Sequence, residues 1–141
     1  MIIYFVIKYY ITKNKIMDYT LAIIGSRNMK SQQHHQHQEL FIQGITQVLE
    51  KYGQPSTVVS GGAKGADTIG ENWANDNNIK CVVYKPDWKK LGKRAGIVRN
   101  YDIIKDADHV LAFPSRHGKG TQHSISIAKK ANKDVIQIYI D

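Results

Sequence analysis

Two glycine-rich stretches carry the residue types from which a phosphate site is built. In the first, residues 58–67 read VVSGGAKGAD: a β-branched run passes through Ser60, Gly61, Gly62, Lys64 and Gly65 into a segment with helical apolar spacing, whose first turn holds Asp67. In the second, residues 113–121 read FPSRHGKGT, so Pro114 leads to Gly118, Lys119, Gly120 and Thr121. A turn without Cβ atoms lets the backbone come against a ligand. The helix behind it presents unpaired N–H groups and a partial positive charge, which suits an anion such as phosphate. A third segment, GSR, supplies Gly25, Ser26 and Arg27; the planar arginine fork can grip two phosphate oxygens at once. Ser60 and Thr121 add hydroxyl donors, which equally suit helix capping. The spacing GGAKG is neither the GxGxxG of a dinucleotide site nor the GKS or GKT ending of a P-loop.

Other residues have a chemical and a bland reading side by side. Asp67 could contact a ribose, or simply be favoured by the helix dipole in a first turn. Arg99 and Asn100 fall within a helix, with Arg99 directed toward the strand-three edge of the site or toward a surface ion pair. Trp88, after Lys85-Pro86-Asp87, is a base-stacking platform or a partial lid on the core. His117 is an acid–base candidate or a plain basic loop residue. His34, His35 and His37 lie in a polar tract with no Cys or Asp to complete a metal site, so no metal is expected. Cys81, the sole cysteine, sits in the apolar run CVVY and reads as core packing; it excludes an intramolecular disulfide and suits a reduced, cytoplasmic setting.

The elements that must position these residues alternate in type. Residues 19–24 form a continuous apolar strand, followed by a polar tract at 28–39. From Leu40 a helix places Phe41, Ile45, Val48, Leu49 and Tyr52 on one face, closed by Gly53 and Pro55. Strand two spans 57–60, and the helix after it turns Ile69, Trp73 and Ala74 inward. Strand three spans 80–84. A basic segment, KKLGKRAG, precedes a helix with Ile97, Val98, Tyr101 and Ile104 on one stripe. Strand four spans 109–113, a helix at about 122–132 buries Ile125, Ala128 and Ala131, and strand five spans 135–140. Such alternation predicts an α/β fold with a mainly parallel five-stranded sheet covered on both faces. In that architecture ligands bind beyond the carboxyl ends of the strands, where strand order reverses. GSR, SGGAKGAD, KPDW and FPSRHGKGT each follow a strand, so all of them should gather on one edge.

At 141 residues, 42% of them apolar and 23% charged, the chain makes one domain with a proper core. Residues 1–16 are too short an apolar stretch for a membrane span and lack the features of a secretory signal. They read as an extension, with the core domain at 17–141 and a natural start near Met17. The net charge of +8 favours anionic partners without choosing among them.

GSR at 25–27, SGGAKGAD at 60–67, Arg99-Asn100 and GKGT at 118–121 together resemble the SLOG superfamily, which includes DprA, the Lonely Guy phosphoribohydrolases and the YpsA/YspA proteins. The YspA-like branch, often found in viral and bacterial genomes, is the nearest, and the resemblance spans roughly residues 19–141. It implies a Rossmann-like, doubly wound α/β/α sandwich with a pocket for a nucleotide or nucleotide-derived ligand, no cofactor, and by analogy a homodimer. In the phosphoribohydrolases the last motif reads PGGxGTxxE and its glutamate assists cleavage of the N-glycosidic bond; here Ser124 stands at that position. A hydroxyl cannot replace a carboxylate as general base or as a stabilising charge. Three functions compete: nucleotide binding for sensing or sequestration, N-glycosidic cleavage with Asp67, Glu71 or Asp87 supplying the carboxylate, and single-stranded nucleic-acid binding.

Overall fold

The computed structural model describes residues 16–30 and 35–141. Of the extension expected at 1–16, residues 1–15 lie outside the described residues, as does His34, while Ile16 opens the first strand opposite Gln54. The elements are β1 (Ile16–Gly25), α1 (His35–Tyr52), β2 (Gln54–Ser60), α2 (Ala66–Asp76), β3 (Lys80–Val83), a single turn α3 (Trp88–Leu91), α4 (Ala95–Asp106), β4 (His109–Phe113), α5 (Gly120–Lys130) and β5 (Asp134–Gln137). A short 3-10 turn, Gly92–Arg94, joins α3 to α4.

The strands form one parallel sheet in the order β3-β2-β1-β4-β5. Alternation along each strand divides the core in two. Leu21, Ile23, Val58, Leu111 and Phe113 face one layer with Phe41, Ile45, Val48 and Leu49 of α1 and Trp73 and Ala74 of α2. Ala22, Ile24, Val59, Val110 and Ala112 face the other with Ile103 and Ile104 of α4 and Ile125 and Ala128 of α5. Strands covered on both faces need apolar residues at successive positions, which explains the unbroken run in β1. The result is a Rossmann-like three-layer α/β/α sandwich.

Strands β1 and β2 and helix α1 begin earlier than expected and β5 ends earlier, and three further details differ in ways that bear on the packing. Pro55 lies inside β2, opposite Met17 of β1. Pairing with β3 begins only at Thr57, so β2 is an edge strand where the proline sits. In α4 only Ile104 of the expected stripe is buried, joined by Ile103, whereas Ile97 (50% exposed), Val98 (37%) and Tyr101 (52%) face solvent. The helix is rotated so that Arg99 comes over the sheet edge. Finally, α5 ends at Lys130, which leaves Ala131 exposed.

The chain leaves β1 toward β2 on one side and returns to β4 on the other. The switch point therefore lies between the carboxyl ends of β1 and β4, at the segments GSR (25–27) and FPSRHGKGT (113–121).

Candidate functional site

At the exit of β1, Ser26 donates its N–H to the Phe113 carbonyl at 2.9 Å, tying the ends of the two central strands together. The Ser26 carbonyl in turn accepts from Met29 N–H at 3.3 Å and from Ala66 N–H, the start of α2, at 3.1 Å. Gly65 makes this junction possible. Its φ of +81° is left-handed, and a Cβ there would collide with the Ser26 carbonyl oxygen and the Arg27 backbone. Residues 25–28 and the head of α2 are thus one packed unit.

Asp67 lies in the first turn of α2, 7% exposed, and its Oδ2 accepts Ala63 N–H at 3.2 Å. Arg99 reaches it from α4 on the opposite layer. One guanidinium nitrogen donates to the Gly61 carbonyl, and Nε donates to Asn100 Oδ1 at 2.9 Å. Both side chains lie over the bare Cα of Gly61, where a Cβ would stand 2.7 Å from Arg99 Nη1 and 2.9 Å from Asp67 Oδ2. Burial pushes the Asp67 carboxyl up to about 6, with its Ala63 hydrogen bond and the Arg99 charge opposing. Burial likewise lowers Arg99, with Asp67 opposing and the like charge of Arg27 adding. Two guanidinium groups therefore feel each other across one space, and a buried carboxyl that charges reluctantly stands beside one of them, Arg99.

The segment after β4 is held by the last residue of the chain. Ser115, 4% exposed, donates its hydroxyl to Asp141 Oδ2 at 2.6 Å and accepts His117 N–H at 3.1 Å. Asp141 Oδ1 accepts Arg116 N–H at 2.8 Å, and these bonds hold its carboxyl below the usual range. The N-cap residues of α2 and α5, Gly65 and Lys119, make no side-chain cap hydrogen bond, while in the first turn of α2 the Asp67 carboxyl takes the Ala63 N–H.

These segments border a cavity of about 500 Å3. Gly25, Ser26, Arg27, Asp67, Arg99, Asn100, Gly118, Gly120 and Thr121 all line it, as the sequence predicts. Ser60, Gly61, Gly62, Lys64, Gly65, Pro114 and Lys119 are not in the lining. Ser60 is fully buried and gives its hydroxyl to Glu71 at 2.9 Å. Gly61 and Gly65 act by leaving room for Arg99 and for Ser26. The side chains of Lys64 and Lys119 are exposed, and Ala63 represents the first turn in the wall instead. Arg99 reaches the turn after β2 rather than the strand-three edge, and the residues 85–88 expected on the same rim stay outside the lining. His117 is also outside it, with its N–H on Ser115.

Sequence reasoning missed Asn28 and Ser115 as wall residues and did not weigh Asp141 at all. The first two adjoin the motifs, a usable signal; Asp141 carries none, because its partners are 25 and 26 residues away. Among the described residues no group of three or more His, Cys, Asp or Glu could hold a metal ion, and His37 Nδ1 accepts Lys30 N–H at 2.7 Å. Nor is any described helix long and apolar enough to cross a membrane.

Residues 20–91 match the family described as YspA, cpYpsA-related SLOG, or YAcAr. The chain belongs to this family. Its matched part contains GSR and SGGAKGAD, while Arg99, Asn100 and residues 118–121 lie beyond it. The SLOG chain is also 40% identical over 85 residues to the Gene 61 protein of Mycobacterium phage D29, covering 56% of this chain and 68% of the phage protein. Two solved structures share its fold at 19% identity. DNA processing protein A (DprA) from Streptococcus pneumoniae superposes with a TM-score of 0.61 over 91% of this chain and 51% of its own. DprA from Helicobacter pylori, whose structure concerns its single-stranded DNA binding mode, gives 0.60 over 92% and 67%. The SLOG chain thus spans about half the length of the first of these proteins.

Proposed function

We propose that this protein binds a nucleotide or nucleotide-derived ligand in the cavity between the ends of β1 and β4, to sense or sequester it. The observation that carries this reading is the convergence of Arg27 and Arg99 with the first turns of α2 and α5 on a single space. Its volume of about 500 Å3 suits a mononucleotide. Phosphate oxygens would sit between the guanidinium groups, relieving their mutual repulsion, and accept N–H bonds from the heads of α2 and α5. Asp67 and Asn100 remain for sugar or base hydroxyl and amino groups. Thermal-shift measurement against a nucleotide panel, with mass spectrometry of copurifying small molecules, tests this. Ligand at a hundred times its dissociation constant adds about 2.7 kcal/mol of stability, a shift of several degrees. No shift with any nucleotide would sink the reading.

A second reading, N-glycosidic cleavage, is favoured by Asp67 alone. A carboxyl held near 6 in a cavity wall is suited to give or take a proton near neutrality, whereas Ser124, buried in the same wall, cannot. Release of free base from nucleoside monophosphates, lost in Asp67→Asn, would establish it. A third reading is single-stranded nucleic acid, whose binding mode the H. pylori DprA structure concerns. It rests on the net charge of +8, and it requires oligonucleotide affinity that falls steeply with salt.

A further inference from the structure

Apart from Tyr139, the exposed large apolar groups among the described residues fall in two places, the start of β1 (Ile16, 62% exposed, and Met17) and the α3–α4 segment. Trp88 (55% exposed), Ile97 (50%) and Tyr101 (52%) all belong to the α3–α4 segment, which the sequence places among cations and the cavity leaves unused. Residues 85–94 hold Lys85, Lys89, Lys90, Lys93 and Arg94, all exposed, against one acid, Asp87. That acid is engaged as the cap of α3, its Oδ1 accepting Lys90 N–H at 3.1 Å. Among the described residues the ion pair formed is Lys51 with Asp134, so none of these five cations is neutralised. The far edge of the Trp88 indole stands 3.5 Å from where a Gly96 Cβ would be, so the ring is propped on the start of α4 with more than half its surface open. Tyr101 meets the His123 ring edge-on at a centroid distance of 5.9 Å.

Exposed aromatic faces among unpaired cations bind a chain that carries both planar rings and negative charge. We propose that the α3–α4 surface is a docking site for single-stranded nucleic acid, with bases stacked on Trp88 and Tyr101 and the backbone along Lys89, Lys90, Lys93 and Arg94. This inference rests on the nucleic-acid reading above and assigns it a surface separate from the cavity wall. A second copy of the chain is the poorer occupant. A two-fold contact sets the same patch against itself and would bring both cation clusters together. A strand, by contrast, gains from charge release and from stacking that any base can supply.

The test is a fluorescence titration of the full chain with an oligothymidylate of about 20 nucleotides at increasing salt. Trp88 is exposed and Trp73 is only 8% exposed, so stacking quenches the emission of the former. Trp88→Ala is expected to weaken oligonucleotide binding by roughly 5- to 150-fold. A triple Lys89→Gln, Lys90→Gln, Lys93→Gln variant is expected to reduce the log–log salt slope by about 2. Both should keep the wild-type melting temperature and mononucleotide affinity. No oligonucleotide binding by the wild type at low salt overturns the nucleic-acid reading itself. Binding that survives both surface variants but is lost in Arg99→Gln overturns the docking surface alone. Tighter association with anionic phospholipid vesicles than with the oligonucleotide would likewise overturn it.

Discussion

At Asp67 the protein holds a carboxyl where its charge is least welcome, and this has a definite pH signature. The folded value of about 6 exceeds the ordinary 3.8, so between these pH values the folded state binds more protons than the unfolded one. Stability contributed by the protonated group is therefore complete below pH 3.8 and is lost as pH rises toward 6. The loss at neutral pH is on the order of 3 kcal/mol. Asp67→Asn, which keeps an oxygen for Ala63 N–H, should then raise unfolding free energy in urea at pH 7 by about 2 kcal/mol and change it little near pH 4. An unchanged or lowered stability at pH 7 would show that the Arg99 charge outweighs burial. Arg99 is the complementary case: it crosses from the other layer to hold the Gly61 carbonyl and faces Arg27 across the cavity. If phosphate sits between them, Arg99→Gln should weaken nucleotide binding by about 10- to 100-fold in calorimetric titration, the worth of a charge-assisted hydrogen bond.

Among the elements, the turn joining β2 to α2 shows how glycines serve a site without touching its ligand. Gly65→Ala forces a left-handed residue against the Ser26 carbonyl. It should cost about 1–3 kcal/mol in chemical unfolding and weaken nucleotide binding, because Arg27 moves with Ser26. The turn after β4 depends on a different device. Ser115, Arg116 and His117 are organised around Asp141 through hydrogen bonds that need its carboxylate. Asp141→Ala should leave the melting temperature nearly unchanged while hydrogen exchange of Arg116 and His117 N–H becomes faster. Protection equal to the wild type would show that the turn keeps its shape unaided. The helix α4 carries both outcomes of one rotation: Ile103 and Ile104 seal the core, Arg99 enters the cavity, and Ile97 and Tyr101 are left outside.

For the whole molecule, the described residues from Ile16 onward form two core layers and a cavity. We propose residues 17–141 as the functional domain, so that a chain lacking residues 1–16 should unfold cooperatively and bind nucleotide as the full chain does. A non-cooperative melt of the shortened chain would place the boundary earlier. The sheet, its parallel sense and the edge where the motifs collect were legible because they follow from local periods: unbroken apolar runs, helical stripes, and glycines at the turns between them. Seven of the nine cavity residues named from sequence were legible for the same reason, since they lie around strand ends and helix starts; Arg99 and Asn100, inside α4, were named through the family resemblance. What was not legible depended on rotation and on distant partners. Successive residues on a helix point about 100° apart, so α4 could be recognised as a helix while its buried face was misjudged. The Arg99–Gly61 contact spans 38 residues and the Ser115–Asp141 bond 26, and nothing local to either residue names the other. By itself the sequence determined which elements form and what chemistry their ends can offer. Only the packing of two helical layers on one sheet decided that Arg99 and Asp67 meet over a bare glycine while Trp88 is left in solvent, because side-chain encounters across layers depend on helix rotation and crossover geometry rather than on any neighbour in the chain.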